Sequence, residues 1–219
     1  DPIKMPQIAA GAMMYLRGDI ARAQVTIERS YTRRQVLDSR RTPGLLRPFF
    51  SAGFPPEAPL LHSVRVRSFD GEPYSPPELQ LPATLVSDTR ELTWAGHAEG
   101  HGVVTINAAR SQGLVGFLRA NRAQATNLAV DVQNNFCAIV LSSLEDAPIT
   151  RSSRLLLTAG ARVENSGMQW DEARARVTEQ GHSPTLIEPV TGTIMLRDLE
   201  AATRVSVQPL DGAGRALGA

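Results

Sequence analysis

The chain is poor in the residues that would announce a compartment or a chemistry. A single cysteine, Cys137, excludes an internal disulfide, although that leaves the compartment open because many secreted bacterial proteins of this size have none. Cys137 sits in the apolar run Phe136 to Leu141 with no histidine or base beside it in sequence, which predicts a buried, inert thiol. Lysine is nearly absent: Lys4 stands against 22 arginines, and with 22 acidic residues the net charge is only +1. No global field therefore draws the chain to nucleic acid or to an acidic membrane, and the arginine bias reads as a mark of a GC-rich coding source. Aromatic residues make up 5% of the chain, too few for a wide stacking platform. No apolar run approaches the ~18 residues of a membrane-spanning helix. There is no Gly-x-Ser-x-Gly elbow, Walker loop or dinucleotide fingerprint. Asp1-Pro2-Ile3-Lys4 carries neither an initiator Met nor a secretory leader pattern, and reads as a chain cut from something longer.

What is present is strand pattern. The stretch Ser153 to Trp170 is the most structured: Arg154 to Val163 is long, apolar and free of proline, which predicts a central strand covered on both faces near its start. A turn follows at Asn165-Ser166-Gly167, where Gly supplies positive φ, and it presents Met168 and Trp170 on its far side. Further strands are predicted at 23–29, 63–69, 83–86, 91–95, 102–107, 113–118, 127–132, 136–142, 185–190, 193–196 and 204–208, spaced by turn residues, with 171–179 as a polar excursion at an edge. At 219 residues the chain holds one or two units. The expected fold is all-β, an antiparallel, jelly-roll-like β-sandwich over 61–219, preceded by a linker and docking segment over 1–60.

That N-terminal segment differs from the rest. Pro6 to Leu16 is rich in Ala and Met and predicts a short helix or packed segment ending at Arg17-Gly18-Asp19, a tripeptide that reads as a plain turn rather than an integrin ligand. A proline-rich apron carries Leu45, Leu46, Phe49 and Phe50 to pack on a neighbour. At the other end Asp211-Gly212 signals a hairpin with a strand before it and none after it, so a strand is missing there or is supplied from elsewhere.

Candidate chemistry is sparse. His97 and His101 have the i, i+4 spacing of two ligands on a helix face, but the glycines at 96, 100 and 102 make their segment a hairpin loop, so no metal site is expected. Trp94, Trp170 and Tyr74 are the candidate carbohydrate-stacking residues, each Trp reading first as a core or interface anchor. Glu164, beside the turn after the long strand, is the most suggestive acid. With Glu99 and Asp171 it would form the acid set of a free-standing glycosidase, if two of them converged in a pocket. No cofactor is indicated.

Three segments resemble the C-terminal region of large bacterial TIM-barrel glycoside hydrolases of clan A. Asp1 to Met5 with Tyr15 to Ile20 and Ala23 is similar to the connection that leaves the catalytic barrel. Ser87-Asp88-Thr89-Arg90-Glu91-Leu92-Thr93-Trp94 with Val103 to Phe117 resembles the pair of strands that usually carries "SDTGELxWD" and "DTPRTQ". Leu155 to Trp170 resembles "LLLTAxARxENTGMxW", the most specific of the three. Arg90 stands in place of a usual Gly, and Ala108-Ala109 in place of Thr-Pro. In such hydrolases the catalytic acids lie on the barrel, upstream of the position matching Asp1, so no catalytic residue carries over. The resemblance implies a non-catalytic accessory module of a secreted or periplasmic enzyme acting on β-linked polysaccharide, of the cellulase or β-galactosidase type. Its implied partner is the catalytic barrel of the same protein, with polysaccharide as a further one. An autonomous carbohydrate-binding module is the alternative.

Overall fold

The computed structural model describes residues 4–39, 53–119, 121, 123–174, 176–200 and 202–218. The apron residues Leu45, Leu46, Phe49 and Phe50 lie outside them. The chain divides into two compact units, Asp1–Asp19 with Thr105–Ala219, and Ile20–Val104. The segment expected as one linker thus contributes its helix to the first unit and its later elements to the second.

The first unit opens with α1 (Lys4–Arg17), whose run of Ala, Met and Leu has high helix propensity. Gly18, at φ 64°, ends it: the Asp19 N–H reaches back to the Met14 carbonyl (2.9 Å) and the Gly18 N–H to that of Tyr15 (3.2 Å), a Schellman motif. Ala10 and Met14, one turn apart, are buried on the face turned to the sheet. Gln7, on the same face, donates to the Ala138 carbonyl at 3.2 Å.

The strands of this unit are β5 (Val103–Asn107, in which the division falls), β6 (Ser111–Gly116), β7 (Leu128–Val132), β8 (Cys137–Ser143), β9 (Leu155–Gly160), β10 (Val163–Ser166), β11 (Gln169–Trp170), β12 (Val177–Glu179), β13 (His182–Ile187) and β14 (Gly192–Leu196). The order β5-β6-β8-β9 runs across one sheet, with β6, β8 and β9 paired antiparallel and α1 packed on β8 and β9. Leu114 on β6, Leu128 on β7, and Ile139 and Leu141 on β8 are the largest fully buried strand side chains. β7 pairs antiparallel with β14, β10 with β13 and β11 with β12.

Two expectations for the stretch 153–170 are corrected here. Its first half is not central: β9 is the last strand of its sheet, and the core runs through β6 and β8 instead. Leu157 is exposed and only Thr158 and Gly160 of β9 are buried, so the apolar run did not report burial on two faces. The run is also broken at Ala161-Arg162, so that β10 leaves β9 and pairs elsewhere. The turn with Gly167 at φ 72° forms as expected, the Met168 N–H bonding the Asn165 carbonyl at 3.1 Å. The polar excursion 171–179 contains a strand, β12, that closes a hairpin on Trp170.

A second feature was not foreseen. Among the described residues, none after Gly160 is buried, although β10 to β14 are regular strands. Leu186, Ile187, Met195, Val205, Val207, Leu210 and Leu217 are all exposed. The residues predicted as a strand at 204–208 form no strand and pair with none among the described residues.

The second unit holds β1 (Thr26–Ser30), α2 (Arg33–Ser39), α3 (Ala58–Leu61), β2 (Ser63–Ser68), β3 (Thr84–Val86) and β4 (Leu92–Ala95). β1 and β2 pair in parallel, against the wholly antiparallel expectation, while β3 and β4 form an antiparallel hairpin. Phe54, Ala58, Leu61, Leu85 and Val103 are its buried apolar residues among those described, and the Arg29 guanidinium lies 4.8 Å above the Phe54 ring. The fold is all-β with short helices, as predicted.

Candidate functional site

Two buried polar nodes hold the units in shape. In the first unit the Asp19 side chain is fully buried and paired to Arg17. It accepts a hydrogen bond from Ser111 Oγ at 2.7 Å, and Ser111 Oγ lies 2.9 Å from Ser142 Oγ. Arg110 approaches Asp19 at 3.6 Å and reaches out to Asp146 at 2.7 Å, while Arg17 also donates to the Ser143 carbonyl. A buried carboxylate needs such partners, and here they tie the end of α1 to β6 and β8. Arg17-Gly18-Asp19 is therefore an internal clamp and a turn.

In the second unit Asp88 Oδ2 accepts from the Val25 N–H at 2.9 Å and lies 3.1 Å from His62 Nδ1. The Asp88 N–H bonds the Leu61 carbonyl at 3.0 Å. The Val25 N–H does most to hold the Asp88 carboxyl below its usual range; partial burial works against it and His62 assists. The dyad fastens three segments that are distant in sequence. A hydroxyl bonded to the outer nitrogen of His62 would be needed to make it a nucleophilic triad, and Ser87 Oγ is instead 3.1 Å from Thr89 Oγ1 and accepts from the Leu92 N–H at 3.0 Å.

The predicted site residues fall in separate places. Trp170, on β11, is half-buried with the Arg174 guanidinium 5.5 Å from its ring, and its Nε1 is buried without a hydrogen-bond partner among the described residues. Arg174 pairs with Glu164, so these three form one cluster in which the carboxylate is engaged by a cation. Asp171 belongs to the adjoining turn, where the Arg174 N–H bonds its carbonyl at 2.9 Å. In the second unit Trp94, on β4, is half-buried with the His97 ring 5.5 Å away at 54°. Tyr74 is exposed and bridges by its backbone to Ser30. Glu99 closes a one-turn 3-10 helix with His97, and its carbonyl lies 3.0 Å from His101 Nδ1, while His97 Nε2 meets the Pro82 carbonyl at 2.9 Å. Among the described residues no group of three or more His, Cys, Asp or Glu could hold a metal ion.

The most unusual surface is apolar rather than chemical. α1 buries one face, yet its outward face is built from Ile8, Ala9, Ala12, Tyr15 and Leu16, with Ile8 61%, Tyr15 85% and Leu16 81% exposed. No charged residue interrupts the helix between Gln7 and Leu16. A helix that is apolar all round belongs inside a larger assembly. The sequence signalled this surface through its Ala- and Met-rich start. It did not signal the Asp19 node, although Ser111 and Ser142 within strand-forming runs were a usable clue, since buried hydroxyls require partners. The His62–Asp88 pair left no local trace at all.

No protein-family model matches the chain, and no curated protein or solved structure matches it either.

Proposed function

We propose that this chain is a non-catalytic accessory β module of a multidomain β-glycoside hydrolase acting on polysaccharide, of the cellulase or β-galactosidase type. Its task is to pack on the catalytic barrel and stabilise it. The observation that carries the docking half of this reading is the outward face of α1, where Ile8, Tyr15 and Leu16 stand in solvent on a helix whose other face is already buried. Exposed apolar surface of this kind marks an interaction site. The glycosidase half rests on the three sequence resemblances, of which Leu155 to Trp170 is the strongest. Arg90 supports it, because its φ of 63° is a conformation that favours the glycine usual at that place. In such an enzyme the module would be secreted or periplasmic.

The reading is tested in the source organism's protein and in the isolated chain together. The natural polypeptide is expected to be longer than 23.7 kDa and to hydrolyse β-glucan or a β-galactoside, while the isolated 219 residues hydrolyse neither. Tyr15→Asp with Leu16→Asp should lower the thermal midpoint of the long polypeptide and leave that of the isolated chain nearly unchanged. A natural protein of 23.7 kDa that cleaves β-glucan by itself overturns the proposal.

A further inference from the structure

An open groove of about 710 Å³ lies in the second unit between α2 and the end of β2. Arg33, Val36 and Leu37 line it from the helix, and Arg67, Ser68, Phe69 and Asp70 from the strand and the turn after it. A capping box starts α2, the Gln35 N–H donating to Thr32 Oγ1 at 3.1 Å and the Thr32 N–H to Gln35 Oε1 at 2.8 Å. Just before it the Tyr31 N–H bonds the Ser68 carbonyl at 2.8 Å, and the Tyr31 ring stacks with Phe69 at 6.4 Å and 14°. Arg33, Val36 and Leu37, at i, i+3 and i+4, therefore share the face turned to the groove. On the other wall the pairing passes from Arg29 with Val66 to Ser30 with Ser68, so Arg67 is skipped, and a bulge of this kind re-aims a side chain.

The charges of the two walls are unequal. Arg34 is paired with Asp38 at 3.5 Å and Arg65 with Glu28. Arg33 and Arg67 have no acidic partner among the described residues, and the sequence holds no acid between Asp38 and Glu57 that could supply one. Asp70 Oδ1 accepts from Ser68 Oγ at 3.1 Å and meets no cation among the described residues, which leaves it lone pairs for an incoming hydroxyl. The groove thus offers two guanidinium groups for carboxylates, a carboxylate for hydroxyl groups, and the apolar side chains of Val36, Leu37 and Phe69 for a C–H face. A polyphosphate would meet Asp70 as a repelling charge, and a neutral sugar would leave both arginines unpaired.

We infer that this groove binds a uronic-acid stretch of an acidic polysaccharide. Arg33 and Arg67 pair its carboxylates, Asp70 accepts from its hydroxyl groups, and Leu37 and Phe69 cover the apolar side of a ring. That the anion is a sugar rests on the accessory reading above; that it is an anion rests on the groove alone.

The test is titration of the 219-residue chain with galacturonate, glucuronate and mannuronate tetrasaccharides, their methyl esters, and a tetra-aspartate peptide. At least one uronate is expected to bind, with its ester about 10-fold or more weaker. Arg33→Gln and Arg67→Gln should each weaken the acid form about 10-fold without moving the thermal midpoint, while Arg34→Gln, whose cation is already paired, should change it less than about 2-fold. Binding of none of the three uronates, equal affinity for acid and ester, or affinity indifferent to both arginines overturns the inference. So does a peptide that binds as tightly as the uronate. Any of these results beside a long natural polypeptide that hydrolyses β-glucan sinks the groove alone. Arginine-dependent uronate binding by a natural protein of 23.7 kDa that cleaves β-glucan unaided sinks the accessory reading and leaves the groove standing.

Discussion

Ser111 Oγ donates to Asp19 Oδ2 across 2.7 Å, joining the middle of the sheet to the turn that ends α1. Because Asp19 is fully buried, the contact is tied to the desolvated carboxylate rather than to a screened surface pair. Asp19→Ala, which leaves Arg17 and Arg110 without their shared anion, should destabilise the first unit by about 3 kcal/mol in urea unfolding. Ser111→Ala should cost about 1 kcal/mol. Equal and negligible losses would show that α1 is held by Ala10 and Met14 alone.

Arg90 holds a left-handed backbone in the β3–β4 turn, with φ at 63° and its N–H on the Ser87 carbonyl at 2.8 Å. Arg90→Gly relieves that strain but loosens the unfolded chain, so the net gain should be about 0.5–1 kcal/mol. The check is the denaturation midpoint, which should rise. A fall would mean that the arginine side chain contributes more than its backbone loses.

Stability should depend on acid through Asp88. Its carboxyl ionises below the ordinary value of 3.8, chiefly because it accepts the Val25 N–H, so its contribution is complete above that value and fades as pH falls through the lowered one. Asp88→Asn should be less stable than wild type at pH 7, and the two thermal midpoints should converge as the solution is acidified toward pH 3. Parallel curves would exclude Asp88 as the source.

How much of this was readable beforehand depended on how local the cause was. The helix over 6–16 and the turns at Gly167 and Asp211-Gly212 were legible, because propensity and turn chemistry act within a few residues, but at the last turn the arm expected to be missing is present, with Ala216 and Leu217 paired back on Leu210 and Pro209. The rank of β9 in its sheet was not, since neighbours such as β8 decide which strand is covered, and Leu155 to Leu157 look the same in either place. The parallel pairing of β1 with β2 was hidden for the same reason. Trp94 and Trp170 could be named as candidates, but their neighbours His97, Glu164 and Arg174 emerge only once the chain has turned back on itself.

Cys137 should resist modification. Its thiol is fully buried, and desolvation, aided by the charge of Glu188, pushes it from 9.0 up to about 11. At pH 8 the thiolate fraction then drops about 100-fold, so alkylation of the native chain should be slower than that of the urea-unfolded chain by at least this factor. Native and unfolded rates of similar size would place the sulfur in contact with solvent.

The core should end where burial ends. Leu114→Ala on β6 is expected to cost about 2–5 kcal/mol, whereas Leu186→Ala on β13 should change the isolated chain by no more than about 0.5 kcal/mol. Differential scanning calorimetry of the two variants makes the comparison. A large loss at Leu186 would reveal packing beyond Gly160.

Because Thr26 to Arg29 run in parallel register with Ser63 to Val66, the chain has to return to the starting end of the pair in an arc before β2 begins. Closing such an arc is an entropic step whose size grows only with the logarithm of contour length, about 0.6 kcal/mol for each doubling. Insertions within that arc should consequently cost the pair little, so that its length is free to vary while the two strands that bracket it stay constrained.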